Sequence, residues 1–348
     1  MTDQTFQSAD PSAVPQMTHL IQMTHLIFGF MATQAIHVAA RLGVADLVQE
    51  GPKTADELAL ATAAHGPSLR RLLQLLASLG VFAEDTGGRF RQTPLSATLR
   101  GDVAGSIRNL AIMFGSPFIW KAWGNLFDGV ETGKPAFKRT HGATFFEYLE
   151  AHAEDGAIFN AAMSASSSIN LPSLIKSYDF SQFEKIVDVG GGHGALLHGI
   201  LSANPTVRGV LADLPAVVAG ASIVRTGEIA NRCEICAVNF FEAVPEGADA
   251  YLMKSIIHDW SDEESLRILS NCRRAIRPHG KLLLIEMVLR SPNQPDPGRF
   301  TDLNMLALLT GKERTEADFK TLLSRAGFSL TQVVPTGGMS SIIEGTPV

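Results

Sequence analysis

The sequence predicts an α/β protein whose C-terminal half forms an open, doubly wound parallel sheet, preceded by a smaller and mainly helical domain. Predicted strands and helices alternate from Lys185 onward, and a glycine-rich turn follows the first of these strands. Before residue 105, two predicted helices and a hairpin follow one another in the order of a winged helix. These observations divide the chain into a disordered arm (1–16), a winged-helix-like domain (17–105), a helical linker (106–177) and a sheet domain (178–348).

Length, charge and cysteine content restrict the class of protein. The 348 residues are enough for two domains with a core, and the net charge of −6 with a pI near 5.9 argues against nucleic-acid or anionic-membrane surfaces. Residues 1–16 are polar and lack the features of an export signal, and polar residues interrupt the apolar stretch 17–48 too often for a membrane span. Three cysteines indicate a reducing compartment, so we expect a cytoplasmic protein.

The N-terminal domain has the helix caps and the hairpin turn expected of a winged helix. Thr54 and Glu57 form a predicted capping box that opens a helix to about Ala63. Ser68 is predicted to cap a second, leucine-rich helix, and a hairpin turning at residues 86–88 follows. A winged helix raises the possibility of DNA binding, but residues 1–105 hold nine acidic against seven basic residues, a net charge of −2. This charge favours a dimerising role.

Residues 106–177 have a helical pattern that is rich in aromatic side chains. Two interpretations remain open for this segment. It is either a lid over an apolar substrate or a set of helices that use their aromatic residues for core packing.

The glycine-rich turn predicts a ligand loop. Residues 186–189 form a buried strand, and the glycines from Gly190 to Gly194 let the backbone approach a ligand at the start of the next helix. The spacing fits both a dinucleotide fingerprint and the loop of S-adenosylmethionine (SAM) enzymes. Asp213 ends the second strand, 23 positions after Gly190, where such folds place a carboxylate on ribose hydroxyls. This acid supports a nucleotide-like ligand without separating the two alternatives.

Several polar residues are predicted to meet at one edge of the sheet. The third strand, 233–238, leads into Asn239, the fourth, 250–257, leads into His258, and the fifth ends at Glu286. Because the carboxyl ends of parallel strands share one edge, we expect these residues to converge with the glycine loop. His258, joined there by Glu286 and by Glu313, is therefore predicted to be a base held in one tautomer by a carboxylate.

Several ordered motifs carry a resemblance over residues 185–328. The segments DVGGGHG, LADLP, MKSIIHDWSDEE, KLLLIEMVL and DLNMLALLTGKERTEADF resemble the SAM-dependent O-methyltransferases related to caffeic acid and hydroxyindole O-methyltransferases. The resemblance implies a Rossmann-like catalytic domain, a homodimer formed through the N-terminal domain, SAM as cofactor with S-adenosylhomocysteine (SAH) as product, and an aromatic acceptor, such as a secondary metabolite.

The resemblance also implies roles for individual residues. His258 is implied to be the catalytic base, with Glu286 and Glu313 as the acids that bracket it. SAM contacts are implied for Gly190, Gly192, Asp213, Leu214, Asn239, Phe240, Lys254 and Trp260. Acceptor contacts are implied for Met163, Asp259, Asn304 and Met305.

One residue departs from the family pattern. Asn239 stands where the family usually has an aspartate, so a neutral amide replaces the acidic contact to the adenine amino group. The amide oxygen still accepts that hydrogen bond, and we expect weaker SAM binding at most.

The chemistry predicts a phenolic acceptor. A phenol has a pKa of about 10 and a histidine a pKa of about 6.5, so proton transfer from the phenol to the histidine costs roughly 5 kcal/mol. An aliphatic alcohol would make this proton transfer much harder. We expect no divalent metal, because no carboxylate cluster shows ligand spacing in the sequence. Three alternatives remain: a SAM-binding relative with hydroxylase or decarboxylase chemistry, an NAD-dependent oxidoreductase, and a SAM-sensing regulator built on the winged helix.

Overall fold

The computed structural model describes residues 13–169 and 171–348, which divide into two compact units between Val103 and Ala104. Most of the predicted arm lies outside the described residues, and its last four residues, 13–16, begin the first helix. The residues predicted as a separate linker, 106–177, belong to the second unit.

The first unit is a winged helix, as predicted. Its three-stranded antiparallel sheet has the order β1-β3-β2. The capping box forms as expected, since Thr54 Oγ1 accepts from the Glu57 amide at 3.2 Å and Glu57 Oε2 accepts from the Thr54 amide at 2.7 Å. Its elements are α1 (Ala13–Ile27), α2 (Gly29–Arg41), α3 (Val44–Leu47), β1 (Lys53–Thr54), α4 (Ala55–Thr62), α5 (Gly66–Ser78), β2 (Phe82–Glu84), β3 (Arg89–Gln92) and α6 (Pro94–Ala97).

The predicted start of α5 was wrong by three residues, since the N-cap is His65 and not Ser68. The helix begins at Gly66 rather than after Ser68, because Pro67 lies in its first turn, where the fixed φ of proline favours helix and its missing N–H costs nothing. Leu69, Leu73 and Leu76 are buried at helical spacing. The other leucines of the predicted helix are not buried, and Leu75 and Leu79 are exposed.

The second unit opens with seven short helices. An aromatic cluster forms their core, in which Phe137 meets Phe145 edge-on at 5.0 Å and Phe118 is buried beside them. These helices are α7 (Arg108–Gly115), α8 (Pro117–Gly124), α9 (Leu126–Thr132), α10 (Ala136–His141), α11 (Phe145–Ala151), α12 (Ala153–Ile169) and α13 (Leu171–Ser177).

A seven-stranded sheet follows, with the order β6-β5-β4-β7-β8-β10-β9. The first five strands in this order are parallel, and β10 and β9 add an antiparallel edge. The elements are β4 (Lys185–Val189), α14 (Ala195–Ala203), β5 (Arg208–Asp213), α15 (Pro215–Val218), β6 (Cys233–Ala237), β7 (Ala250–Lys254), α16 (Asp262–Ala275), β8 (Lys281–Glu286), α17 (Pro297–Leu308), α18 (Glu316–Arg325), β9 (Phe328–Pro335) and β10 (Ser341–Pro347).

The fourth parallel strand is shorter than predicted. It ends at Lys254 because Ser255 adopts a left-handed conformation with φ of 53°, and a 3-10 turn, Ile257–Asp259, follows. This turn places His258 at the carboxyl edge of the sheet, between β7 and the capping box of α16, in which the Ser261 amide donates to Glu264 at 2.9 Å.

Among the described residues, no single helix has the length and apolar character needed to cross a membrane. Segments 18–27 and 29–41 meet those criteria only when taken together, with a bend of 42° between them.

Candidate active site

The glycine loop lies where β4 ends and α14 begins. Gly190 has a φ of 70°, and a Cβ there would lie 2.6 Å from Ile256 Cδ1, so this position requires glycine. Gly194, in the left-handed region, caps the N-terminus of α14. The loop thus leaves its backbone close to the space above the sheet edge.

Asp213 ties the end of β5 to this loop. Its Oδ2 accepts from the Gly192 amide at 2.8 Å and its Oδ1 accepts from the Leu214 amide at 2.7 Å. Burial raises the pKa of Asp213, while these two hydrogen bonds lower it. Each carboxylate oxygen retains a second lone pair, so the acid holds the loop and can still accept from a ligand hydroxyl. Leu214 is exposed beside it.

The sequence did not indicate a role for Asp188, the acid within β4. This side chain is 1% exposed, and burial raises the pKa of Asp188 to about 7. Its Oδ2 lies beneath the loop, 2.6 Å from where a Cβ on Gly191 would be, and has no hydrogen-bond partner in the described part of the chain. A buried acid of this kind is favoured in its neutral form.

Asn239 has an internal structural role. Its Oδ1 accepts from the Phe241 amide at 3.0 Å, and its Nδ2 donates to Glu242 at 3.2 Å. The amide oxygen therefore has one lone pair left for a ligand.

Aromatic side chains form a wall next to the loop. Trp260 stacks on Phe146 at 5.5 Å with an interplanar angle of 27°, and meets Phe240 edge-on at 6.1 Å and Phe241 edge-on at 4.7 Å. The helical segment and the sheet edge thus meet on Trp260. The sequence gave no means to pair Phe146 with Trp260, which lie more than one hundred positions apart.

Lys254 ends β7 next to this wall. Its Nζ donates to Ser167 Oγ at 3.2 Å. Burial lowers the pKa of Lys254, while the negative charges of Glu286 and Asp188 raise it.

His258 forms a short hydrogen bond to Glu313. Its Nδ1 lies 2.7 Å from Glu313 Oε1, and the Glu313 side chain is fully buried. A carboxylate accepts, so Nδ1 carries the proton in this pair and Nε2 is the nitrogen left for chemistry. The backbone amide of Glu313 donates to Asp302 Oδ1 at 3.0 Å, which holds the backbone that carries this carboxylate.

Glu286 differs from Glu313 in what it contacts. Its Oε1 accepts from the amides of Ile256 and Ile257 at 3.0 and 2.8 Å, which holds the 3-10 turn against β8. Its Oε2 lies 3.9 Å from His258 Nδ1, beyond hydrogen-bond distance, and finds no partner among the described residues. Glu286 therefore anchors the backbone of the turn and acts on the imidazole through its charge.

Asp259 faces the other nitrogen of the ring, with Oδ1 3.3 Å from His258 Nε2. Burial alone lowers the pKa of His258, but the charges of Glu286, Asp259 and Glu313 outweigh burial and raise that pKa to about 10. Burial raises the pKa of Asp259 to about 7, although His258 lowers it. The cluster thus favours a proton on the imidazole.

These side chains also form a group with the composition of a metal site. One ligand atom each from His258, Glu286 and Glu313 lies within 4.8 Å of the others, a grouping that sequence spacing did not reveal. The hydrogen bond between Nδ1 and Glu313 accounts for one of these contacts, whereas Glu286 Oε2 and Glu313 Oε2 have no hydrogen-bond partner among the described residues.

Three of the four implied acceptor residues lie on helices, and the fourth, Asp259, lies in the 3-10 turn beside His258. Met163 on α12 packs against the aromatic cluster, and Met305 on α17 is buried. Asn304 Oδ1 accepts from Trp123 Nε1 at 3.0 Å, which orients the amide. The hydrogen bond to Trp123 is a contact that the sequence did not predict.

Sequence reasoning missed two further residues of the site. Gly311 packs against the backbone of the His258 turn, and the buried guanidinium of Arg314 donates to carbonyls of the same turn. Both lie in the segment that was singled out for Glu313, but their contacts are more than fifty positions away in the chain.

Two family models match the chain. The O-methyltransferase dimerisation domain matches residues 24–102, and the O-methyltransferase domain matches residues 123–329, more than half of the chain.

The chain belongs to the O-methyltransferase family.

Two relatives of this methyltransferase show the range of the family. A phenazine O-methyltransferase of Lysobacter antibioticus is 42% identical over 338 residues, 97% of this chain and 98% of the relative. A phenazine-1-carboxylate N-methyltransferase of Pseudomonas aeruginosa is 33% identical over 317 residues, 90% of this chain and 92% of the relative. Similar proteins therefore methylate either oxygen or nitrogen.

A solved structure shows the family's ligands. An O-methyltransferase from neocarzinostatin biosynthesis, in complex with SAH and 1,4-dihydroxy-2-naphthoic acid, superimposes with a TM-score of 0.79 at 32% identity, covering 91% of this chain and 96% of that one. The fold, the family and SAM as cofactor, all predicted from sequence motifs, are confirmed.

Proposed function

We propose that this methyltransferase transfers the methyl group of SAM to a phenolic hydroxyl of an aromatic secondary metabolite, with His258 as the general base. The hydrogen bond of 2.7 Å between His258 Nδ1 and Glu313 carries this proposal, because it fixes the tautomer that leaves Nε2 to take the hydroxyl proton. Relatives named for phenazine and structures with naphthoic acids support a fused aromatic acceptor.

The chain's residues fit SAM. Gly192 has open space where a Cβ would stand, Asp213 is positioned to accept from ribose hydroxyls, and Asn239 retains one lone pair for the adenine amino group. When bound, SAM supplies an activated methyl group. We assign the remaining contacts of this ligand to Gly190, Leu214, Phe240, Lys254 and Trp260.

The carboxylates around His258 match its basicity to a phenol. An ordinary histidine has a pKa near 6.5 and a phenol has a pKa of about 10. Removing this difference in pKa lowers the cost of proton transfer by about 5 kcal/mol. Glu286, Asp259 and Glu313 raise the pKa of His258 to about 10, so proton transfer from a phenol is nearly balanced. The imidazole is then mostly protonated at neutral pH, so turnover rises with pH.

The aromatic wall supports a planar acceptor. Trp260 follows Asp259 directly and stacks on Phe146, so a flat ring is bounded next to the base by other flat rings. We assign acceptor contacts to Asp259, Met163, Asn304 and Met305. Trp123 holds the Asn304 amide with its oxygen occupied, so Asn304 offers its N–H groups to an acceptor oxygen.

N-methylation of a ring nitrogen is the second candidate, because a relative has this activity. An unprotonated ring nitrogen needs no base, whereas a phenol does. Loss of turnover on removing His258 therefore distinguishes the two.

We further propose a homodimer formed through the first unit. Large apolar side chains are exposed along residues 20–31, a stretch that overlaps the start of the segment 24–102 that matches the dimerisation domain, and a second copy would cover them. They are Leu20, Ile21, Met23, Leu26, Ile27, Phe28, Phe30 and Met31. The three free thiols, one of them buried, are consistent with a reducing compartment, and we propose the cytoplasm.

His258→Ala tests the base. We expect SAH affinity to be retained in isothermal titration while turnover of the phenolic acceptor falls by roughly 10²–10⁴-fold. His279→Ala is the matched control, since this histidine is exposed in the turn before β8. Unchanged turnover in His258→Ala would remove His258 from its role.

A further inference from the structure

Residues 311–314 pack onto the 3-10 turn that carries His258, and we call this segment the clasp. It contributes Glu313 to the imidazole, while Gly311 and Arg314 contact the backbone of the turn.

Arg314 makes most of these contacts. Its side chain is 1% exposed, and its Nη1 donates to the Ile257 carbonyl at 2.8 Å while its Nη2 donates to the Trp260 carbonyl at 3.1 Å. These two carbonyls bracket His258 in the chain. The same guanidinium pairs with Asp262 at 2.8 Å, and Nη2 also donates to Ser265 at 3.3 Å. A planar fork of five donors spans these acceptors, which a single ammonium cannot do.

Gly311 lets the clasp approach. A Cβ on this residue would lie 1.9 Å from the His258 carbonyl oxygen and 2.4 Å from the Asp259 carbonyl carbon. Both neighbours are backbone atoms and cannot move without moving the turn. The clasp therefore lies in direct contact with the peptide that carries the imidazole.

The clasp is fixed from the opposite side as well. The Leu289 amide donates to the Arg314 carbonyl at 3.0 Å, and the Glu313 amide donates to Asp302 at 3.0 Å. The backbone of the clasp is therefore held by the segment after β8 and by α17. A movement of the turn would separate His258 Nδ1 from Glu313 because the clasp would not follow.

We infer that Arg314 is a positioning residue, which keeps His258 Nδ1 on Glu313 by holding the carbonyls of Ile257 and Trp260. The inference rests on the proposed function of His258 as the base. Arg314 touches neither the acceptor hydroxyl nor Nε2 in this role. Arg314 affects the reaction only through the geometry of the imidazole. The loss of turnover on replacing Arg314 should therefore be larger for an acceptor that needs a base than for one that does not.

Two acceptors separate positioning from general support of the fold. One is the unactivated phenol that gives a methylated product, and the other is its nitro-substituted analogue, which is ionised at the assay pH. We expect Arg314→Met to lower kcat for the unactivated phenol by about 10–100-fold, since a misplaced catalytic group costs that much. The ionised analogue needs no base and should lose far less, with SAH affinity unchanged.

Lys312→Met is the matched control. Its ammonium pairs with the same Asp262 at 2.8 Å, but half of the side chain is exposed. Like Arg314→Met, this variant removes one positive charge that pairs with Asp262. We expect kcat to be unchanged for both acceptors.

If Arg314→Met does not bind SAH, Arg314→Lys replaces it, and the same acceptor-dependent loss is expected because one ammonium cannot span both carbonyls. Equal losses for both acceptors, no loss, or failure of the lysine variant to bind SAH would overturn the inference. His258→Ala is measured in parallel. If His258→Ala retains turnover, the proposed base is wrong. If His258→Ala shows the acceptor-dependent loss and the Arg314 variants do not, only the positioning role of Arg314 is wrong.

Discussion

Glu313→Gln should lower the pKa of His258 by about one unit. The glutamine keeps the size of the side chain and an oxygen 2.7 Å from Nδ1, so it removes the charge and not the contact. A hydrogen bond to a charged group is worth about 1.5–3 kcal/mol and a neutral one about 0.5–1.5, so the loss is about 1–1.5 kcal/mol, or roughly one pKa unit.

The sign follows from the charge that is removed. A carboxylate favours the imidazolium and raises the pKa of His258, so its loss shifts the titration to lower pH. Imidazole signals of histidine-labelled protein, assigned with His258→Ala, measure this pKa directly, and the ascending limb of kcat against pH should move in the same direction. The plateau should fall as well, because a weaker base accepts the phenol proton less readily.

Glu316→Gln controls for the change of charge, because this acid is exposed in the first turn of α18. It should leave the His258 titration where it is. If Glu313→Gln also leaves the titration unmoved, the hydrogen bond to Nδ1 does not set the basicity of His258 and our reasoning about the cluster is refuted.

Three further outcomes are expected. Gly190→Ala should weaken SAH binding by at least about tenfold in isothermal titration, because the new Cβ would lie 2.6 Å from Ile256 Cδ1 in a left-handed backbone; unchanged affinity would contradict this. Burial raises the pKa of Asp188 to about 7, so the contribution of Asp188 to stability falls as pH rises from about 4 to 7, and Asp188→Asn should remove this contribution from the dependence of melting temperature on pH. Thr54→Ala removes the capping oxygen that accepts from Glu57 and should destabilise α4 by about 1 kcal/mol in denaturant unfolding, while an unaltered midpoint would show that the cap is not needed.

The sheet and its functional edge could be predicted because their signals are local. Apolar runs that end in a polar residue gave β4, β5 and β8, and the capping boxes at Thr54 and Ser261 formed as the sequence indicated. Convergence of the strand ends then followed from parallel topology alone. The family motifs identified SAM as the cofactor, whereas the spacing of the glycines did not distinguish SAM from a dinucleotide.

The inner geometry of the site could not be predicted, because it depends on contacts between distant segments. The left-handed Ser255 ends β7 early, although the apolar residues Ile256 and Ile257 that follow it favoured a longer strand. Glu286 and Glu313 looked equivalent in the sequence, but one anchors backbone amides and the other binds Nδ1. Arg314 had no recognisable role in the sequence, because its partners lie up to 57 positions away.

Locating the transferred methyl group on the product tests the proposed reaction most directly. Wild type and His258→Ala would be incubated with methyl-labelled SAM and a panel of hydroxyphenazines and hydroxynaphthoic acids, with products located by mass spectrometry and NMR. We expect the label on a phenolic oxygen with wild type and very little product with His258→Ala. A label on nitrogen or carbon, or equal yields from the two proteins, would contradict an O-methyltransferase that uses His258 as its base.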